Sequence, residues 1–289
     1  MTGFSFDVKA LSLMPRREAR SNKGDFGRLL AVCGSEGMVG AAYLAAKAAY
    51  RTGAGLVEIL THKANLIPLQ TLIPEAIVST YDEGYDKNKI LASAERADTI
   101  LIGCGLGQTP LSRELLSDVL KSKRGETQLI VDADGLNLLS KNRSLLKYVR
   151  GGIITPHFLE MSRLSGISVD EISENVEQTA YNFAKKYELV CVLKDHNTVV
   201  SDGGEDIYIN RRGNSGMATA GSGDVLAGVI GGILAQASKR EEKESLLTYA
   251  ALGVYIHSVA GDIAASELGE YSVMAGDIID SIPAVLKRL

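Results

Sequence analysis

Apolar positions along the chain follow two alternating rhythms. Short runs rich in Val, Ile and Leu, too short for helices, recur at 28–33 (RLLAVC), 55–60 (GLVEIL), 99–103 (TILIG), 128–132 (QLIVD), 152–155 (GIIT), 189–194 (LVCVLK) and 197–201 (NTVVS). Each predicts a strand. Between them lie amphipathic or alanine-rich stretches that predict helices over 39–53, 111–121, 134–148, 169–187, 222–237, 243–266 and 272–288. Strands alternating with helices predict an α/β fold, a mostly parallel sheet covered on both faces. The last two strand runs are separated only by Asp195 and His196. That is a hairpin signal, so the sheet gains an antiparallel part there.

Composition narrows the class. The chain has 289 residues, 45% hydrophobic and 23% charged, with a formal net charge of −4. This is ordinary globular usage and enough for a sizeable core. There is no clustered basic patch of the kind nucleic acid needs. The three cysteines, Cys33, Cys104 and Cys191, form no CxxC and are odd in number. A disulfide framework or zinc site is not indicated, a reducing cytoplasm fits, and all three are expected in the core. The N-terminal stretch has no signal-peptide core. The longest uncharged runs, Val225–Ser238 and Ser245–Gly261, fall short of the roughly 20 residues of a membrane span and are expected to be buried helices. No linker, composition shift or repeat divides the sequence, so one domain over 1–289 is expected.

In such folds ligands bind beyond the carboxyl ends of strands. The richest such place is GNSGMATAGSGDVLAGVIGG, residues 213–232. Gly213, Gly216, Gly221 and Gly223 let backbone approach a ligand, and the turn feeds a helix N-terminus, where N–H groups favour an anion. Asp224 is either an ordinary cap or a base. Beside a helix N-terminus it is expected to stay ionised. Phosphoryl transfer to a hydroxyl needs donors for the phosphate and a base for the proton. Gly221, Ser222 and Gly223 would form the anion hole, and Asp224 would be the base.

Other strand ends offer less. His157 in ITPHFLE follows a strand directly, and reads either as a structural histidine or as a ligand contact. Asp132 and Asp134 in VDADGLN read as helix caps or as carboxylates positioning a magnesium-bound phosphate through water. KDHNT, residues 194–198, is a turn or a nucleotide contact. His62 and His257 lack any flanking motif and are taken as structural. There is no Gly-Lys dipeptide for a P-loop, and GCGLG (103–107) and GSEGMVG (34–40) lack the dinucleotide-fingerprint spacing.

In order, KGDFGRLLAVCGSEGMVGAAYLAAKAAYRTGAGLV (23–57), IGCGLG, VDADGLN, ITPHFLE, VLKDHNTVV and the 213–232 loop resemble the ADP-dependent (S)-NAD(P)H-hydrate dehydratases of the ribokinase-like superfamily. The resemblance spans nearly the whole chain. It implies a ribokinase-like three-layer sandwich and an enzyme that restores NADH or NADPH from the S epimer of its hydrate. ADP would be the phosphate donor with Mg²⁺, and AMP and phosphate would be released. It further implies a cytoplasmic homotetramer. By motif, Ala41, Gly105, Gly107, His157 and Asp224 would line the hydrated nicotinamide. Lys194, Asp195, His196, Asn197, Thr198 and Gly223 would hold the adenine nucleotide.

The pattern departs in places. MVGAA stands for the usual M-P-G-A-A, GCGLG for G-P-G-L-G, TPHFLE for T-P-H-P-G-E, and KDHNT for K-G-x-x-T. Asp195 adds a negative charge near the expected nucleotide. Residues 1–22 are too short for the epimerase domain fused in some family members, so a separate epimerase would serve the R epimer. The same loop and base would also suit a small-molecule kinase of the superfamily, and a non-catalytic nucleotide sensor would need no base.

Overall fold

The computed structural model describes residues 1–288. The strands are β1 (Thr2–Phe4), β2 (Arg28–Val32), β3 (Leu56–His62), β4 (Ile77–Tyr81), β5 (Thr99–Ile102), β6 (Gln128–Val131), β7 (Ile153–Ile154), β8 (Val190–Leu193), β9 (Val199–Ser201) and β10 (Asp206–Ile209). The helices are α1 (Val39–Thr52), α2 (Leu66–Leu72), α3 (Lys87–Arg96), α4 (Pro110–Ser122), α5 (Asp134–Lys141), α6 (Phe158–Ser165), α7 (Val169–Glu174), α8 (Val176–Tyr187), α9 (Ser222–Ala237), α10 (Leu246–Leu268) and α11 (Ala275–Leu286).

All ten strands join one sheet in the order β1-β10-β9-β8-β7-β6-β5-β2-β3-β4. It is parallel except that β9 runs antiparallel to β8 and β10, as the hairpin signal predicts. Successive strand residues point to opposite faces, so each strand feeds two cores. Leu29, Ala31 and Cys33 pack under α1, α9, α10 and α11, while Leu30 and Val32 pack under α3, α4, α5, α6 and α8. The result is three layers, helix on sheet on helix.

Several boundaries depart from the sequence reading. β1, β4, β10 and helices α2, α3 and α6 are additional. β4 is largely exposed or half-buried and β1 is three residues long, so neither leaves a buried apolar run. The helix expected over 134–148 stops at Lys141 and continues as a tighter 3-10 turn, Arg143–Tyr148. That over 169–187 breaks at Asn175, which leaves helical geometry with φ −137° and ψ 47°. α10 starts and ends later than the helix expected over 243–266; its 23 residues are long and apolar enough by length and composition to cross a membrane, yet it is largely buried and packs into the core.

What positions the site is the pairing of α1 with α9. A Cβ on Gly228 would lie 2.2 Å from the Ala45 carbonyl oxygen, and one on Gly232 would lie 2.7 Å from that of Ala49. The two helices therefore touch backbone to backbone along rows spaced by four residues. The pairing runs parallel. Continued one turn toward the N-termini, the rows reach Ala41 and Asp224.

Candidate active site

Five adjacent parallel strands end along one edge, and the residues just past them converge. Cys33 follows β2, Cys104 lies two past β5, Asp132 follows β6, Thr155 follows β7 and Lys194 follows β8. Asp132 is 1% exposed. Its Oδ1 accepts from Thr155 Oγ1 at 2.7 Å and from Lys194 Nζ at 2.9 Å. Its Oδ2 faces Cys104 Sγ at 3.7 Å. Glu160 Oε2 lies 4.0 Å from the same ammonium. Burial works against the charge on Lys194, but Asp132 and Glu160 hold its pKa above the ordinary lysine value. Glu160 itself is pushed up, chiefly by burial.

The glycine loop meets this cluster from the other side. Gly221 is the residue before α9, with φ 89°, a left-handed conformation that suits glycine. A Cβ there would lie 2.4 Å from Leu44 Cδ1, so the turn is closely packed as well. Ser222, Gly223 and Asp224 form the first turn of α9; the Ser222 N–H donates back to the Thr219 carbonyl at 3.3 Å, whereas helix geometry leaves the Gly223 and Asp224 N–H groups without an intrahelical acceptor. Lys194 Nζ is 3.4 Å from where a Gly223 Cβ would stand, so a cation and a helix N-terminus face the same volume. The loop is braced by Asp262, whose Oδ1 accepts from the Gly213 N–H and from Asn214 Nδ2, both at 3.1 Å.

Asp224 is not a cap. It is the third residue of α9, and its carboxylate comes within 4.8 Å of Cys104 and Asp132. The helix terminus does not set its proton affinity alone. Its pKa is pushed up to about 6, first by desolvation and then by the charge of Asp132, against the Cys104 thiol and the Lys194 charge. Burial outweighs the dipole here. The group is still ionised at neutral pH, with the proton affinity of a serviceable base.

His157 caps α6. Its Nδ1 accepts from the N–H groups of Leu159 and Glu160 at 3.1 and 3.3 Å. The proton therefore resides on Nε2, which faces Glu160 Oε1 at 3.4 Å. Burial and the Lys194 charge lower its pKa, so the ring is neutral and presents a donor.

A cavity of about 830 Å³ opens beside the loop. His157, Lys194, Asp195, His196, Asn197, Thr198, Ser222 and Gly223 all line it. Thus the residues expected to hold nucleotide come together. Within the turn, Thr198 Oγ1 donates to the Asp195 carbonyl at 3.1 Å, while the Asp195 carboxylate pairs with the His196 ring. Ala41, Gly105 and Gly107 do not line this cavity. Ala41 and Gly105 touch each other instead, a Gly105 Cβ falling 2.8 Å from Ala41 Cβ. Gly107 donates its N–H to Asp134 Oδ2 at 2.8 Å, and Gln108 holds the other Asp134 oxygen. Asp134 is thereby a clamp on the GCGLG loop, neither a cap nor a free carboxylate. Like Ala41, Gly105 and Gly107, Asp224 is not part of the cavity lining; it directly follows Gly223, which is.

Three participants were missed in the sequence. His257 was taken as structural, yet it lines the cavity with Nε2 3.3 Å from Ser222 Oγ. Glu160 and Cys104 joined the cluster only through chain distances that no local motif encodes. A magnesium ion asks for oxygen ligands. Asp132 Oδ2 and the Asp224 carboxylate supply two, whereas the third nearby donor, Cys104 sulfur, suits softer metals. The donor set fits an ion held mainly by phosphate oxygens and water.

A family model for NAD(P)H-hydrate dehydratase matches residues 29–284. A bifunctional NAD(P)H-hydrate repair enzyme from Moorella thermoacetica is 39% identical over 96% of this chain and 52% of its own length. The chain thus spans about half the length of that relative. An ADP-dependent (S)-NAD(P)H-hydrate dehydratase from Enterococcus faecalis is 34% identical over 96% of this chain and 90% of its own. The ADP/ATP-dependent NAD(P)H-hydrate dehydratase of Bacillus subtilis, co-crystallised with ATP and Mg²⁺, superposes with a TM-score of 0.82 at 28% identity. That match covers 98% of this chain and 97% of the other. The three-layer architecture is that of the ribokinase-like superfamily. The chain belongs to the NAD(P)H-hydrate dehydratase family.

Proposed function

We propose that the protein dehydrates the S epimer of hydrated NADH or NADPH, using ADP as phosphate donor and releasing NAD(P)H, AMP and phosphate. The observation that carries this is the placement of Asp224 in the first turn of α9, directly after the glycine loop, with its carboxylate within 4.8 Å of Asp132 and Cys104. The adenine nucleotide occupies the 830 Å³ cavity, contacting Lys194, Asp195, His196, Asn197 and Thr198. Its terminal phosphate sits on the Gly221, Ser222 and Gly223 segment beside the Lys194 ammonium. The hydrated nicotinamide lies across Asp224, against Ala41, Gly105 and Gly107, with the His157 Nε2–H available as a donor.

Asp224 takes the proton of the ring hydroxyl as its oxygen attacks the terminal phosphorus. The bond to AMP breaks, and the helix N-terminus and Lys194 stabilise the charge on the transferring group. The phosphorylated carbon then loses phosphate, pushed by the ring-nitrogen lone pair. A proton leaves the neighbouring ring carbon, and the double bond of the dihydronicotinamide is restored. The sum is hydrate plus ADP giving NAD(P)H, AMP and phosphate. A magnesium ion, when bound, neutralises phosphate charge; Asp132 and Asp224 are the carboxylates that would face it.

The bifunctional architecture of the longer relatives supports pairing with an epimerase activity that returns the R epimer to the S form. Cytoplasmic operation accords with the nucleotide substrates. The test is turnover of the S-epimer hydrate of NADH, followed by returning near-ultraviolet absorbance, with ADP and separately with ATP. Recovery matched one-to-one by AMP and phosphate supports the reading. A stable phosphorylated product would point to a small-molecule kinase, and binding of ADP without turnover to a sensor.

A further inference from the structure

His257 has no part in the reaction proposed above, although it lies against the anion site. It stands on α10 in a row spaced by four residues, Gly253, His257 and Gly261, which a helix presents on one face. A Cβ on Gly253 would lie 2.5 Å from Ile230 Cγ1 of α9, and one on Gly261 would lie 2.3 Å from Met217 Sδ in the glycine loop. The two glycines press α10 onto α9 and the loop and carry the imidazole between them to the start of α9. There His257 is 7% exposed, lines the cavity and sets Nε2 3.3 Å from Ser222 Oγ. The same helix grips the entrance of the loop, where Ser258 Oγ accepts from Asn210 Nδ2 at 3.0 Å and Asp262 holds Gly213 and Asn214. Of these three ties, the one from His257 ends on a hydroxyl at the helix N-terminus.

The direction of that hydrogen bond decides what Ser222 offers a ligand, because a hydroxyl has one proton to give. Burial, with the Lys194 charge adding to it, pushes the His257 pKa down to about 4, so the ring is neutral at pH 7 and carries one N–H. The ring also hydrogen-bonds the Ser222 main chain. The Ser222 N–H is already given to the Thr219 carbonyl, so the main-chain partner is the Ser222 carbonyl, which only accepts. The ring N–H therefore points at Ser222, and the serine oxygen receives. Its own proton is left for whatever sits on the N-terminus of α9.

We propose that His257 is a positioning residue for the anion site: its Nε2–H holds Ser222 Oγ so that the serine O–H is aimed at the terminal phosphate of the bound adenine nucleotide. This rests on the cavity holding ADP with that phosphate at Gly221–Gly223. No bond to His257 or Ser222 forms or breaks. Without the imidazole, a helical serine hydroxyl turns back onto its own main chain, and the phosphate loses a donor. AMP has no second phosphate to lose it. The contact through Ser222 thus separates the donor ADP from its product, and favours release of AMP once the phosphoryl group has moved.

The experiment measures Kd for ADP and for AMP by calorimetry in the presence of Mg²⁺. It compares wild type with Ser222→Ala, His257→Leu, His257→Asn, His257→Gln and the Ser222→Ala, His257→Leu double variant, recording thermal midpoints and turnover of the hydrate alongside. His257→Leu is expected to weaken ADP roughly three- to tenfold, the loss of one neutral hydrogen bond, and to leave AMP within about twofold. The loss should vanish where Ser222 is already Ala, since the imidazole acts through that hydroxyl. A glutamine amide reaches the Nε2 position and an asparagine amide stops short of it. His257→Gln should therefore bind ADP like wild type, and His257→Asn like His257→Leu. Equal weakening of ADP and AMP, or losses that add in the double variant, would overturn the proposal and leave His257 a packing residue. If His257→Leu does not fold, the contrast between the two amide variants decides, and equal ADP affinities there would overturn it too. A wild type that shows this pattern but does not turn over the hydrate would sink the dehydratase reading and leave the role of His257 standing. Normal turnover with ADP affinity untouched by His257→Leu would sink only the role of His257, and a wild type that binds no ADP would sink both.

Discussion

Lys194 Nζ and Asp132 Oδ1, 62 positions apart in the chain, form a 2.9 Å ion pair at the ends of two strands that flank β7. Asp132 is almost wholly buried and Lys194 largely so, and the same ammonium faces the N-terminus of α9 through Gly223. The pair is both a structural tie and half of the anion site. Lys194→Met removes the cation and leaves a buried carboxylate unpaired, which costs about 3–5 kcal/mol. The expected outcome is a lower midpoint in chemical denaturation together with a higher KM for ADP. Unchanged nucleotide affinity in folded Lys194→Met would remove the lysine from the phosphate site.

The approach of α9 to α1 sets where Asp224 stands. With Ala45 O only 2.2 Å from a Gly228 Cβ, Gly228→Ala must push the helices apart. Overpacking of this kind costs roughly 1–3 kcal/mol, and it also moves Asp224 away from Ala41. Lower stability and a lower kcat are expected together. Gly276→Ala, in a helix where a Cβ meets nothing within 4 Å, is the control. It is expected to be neutral or slightly stabilising, with turnover unchanged.

The pH behaviour of Asp224 can be read twice. Its pKa lies at about 6 when folded against an ordinary value of 3.8, so kcat/KM should rise with pH through about 6 as the base ionises. In stability the sign is opposite. Below about pH 4 the carboxyl is protonated in both states and contributes nothing. As pH rises through 6, the unfolded chain ionises first and the folded state is penalised. At pH 8 Asp224→Asn should therefore be more stable than wild type by roughly 1–3 kcal/mol, an advantage that fades below pH 4. Thermal midpoints at the two pH values check this, and a destabilised Asp224→Asn at pH 8 would contradict it.

Glu58 provides a contrast remote from the site. It is 1% exposed and is held by Arg28 and by the Ser79 and Ser93 hydroxyls, each of the latter at 2.7 Å. Burial raises its pKa, but these hydrogen bonds and the Arg28 charge bring it below the ordinary glutamate value. Its contribution is present above the unfolded pKa of about 4.5 and is lost as pH falls through the lower folded value. Glu58→Ala strands Arg28 and the two hydroxyls, with an expected cost of about 3 kcal/mol at pH 7. The activity of the folded fraction should stay at wild type, since nothing in the cavity touches Glu58. A kcat loss in fully folded protein would show coupling that the structure does not contain.

Local signals carried much of this protein. Short continuous apolar runs marked the buried strands, because a strand covered on both faces must be apolar throughout. The glycine loop before α9 was legible because a left-handed turn such as Gly221 leaves few alternatives. The short gap between the last two strand runs, only Asp195 and His196, gave the hairpin, and Lys194–Thr198 do line the cavity. Exposed edge strands such as β4 left no such mark, having only one side to bury. What tertiary structure alone decided lies at the centre. The sequence places Asp224 at a helix N-terminus, where the dipole favours charge. The fold adds desolvation, the nearby Asp132 carboxylate and a thiol, and burial wins. Cys104, Asp132 and Lys194 become neighbours because β5, β6 and β8 end along one edge, and strand order is set by long-range pairing that no local pattern records. His257 reaches Ser222 for the same reason, through the packing of α10 on α9.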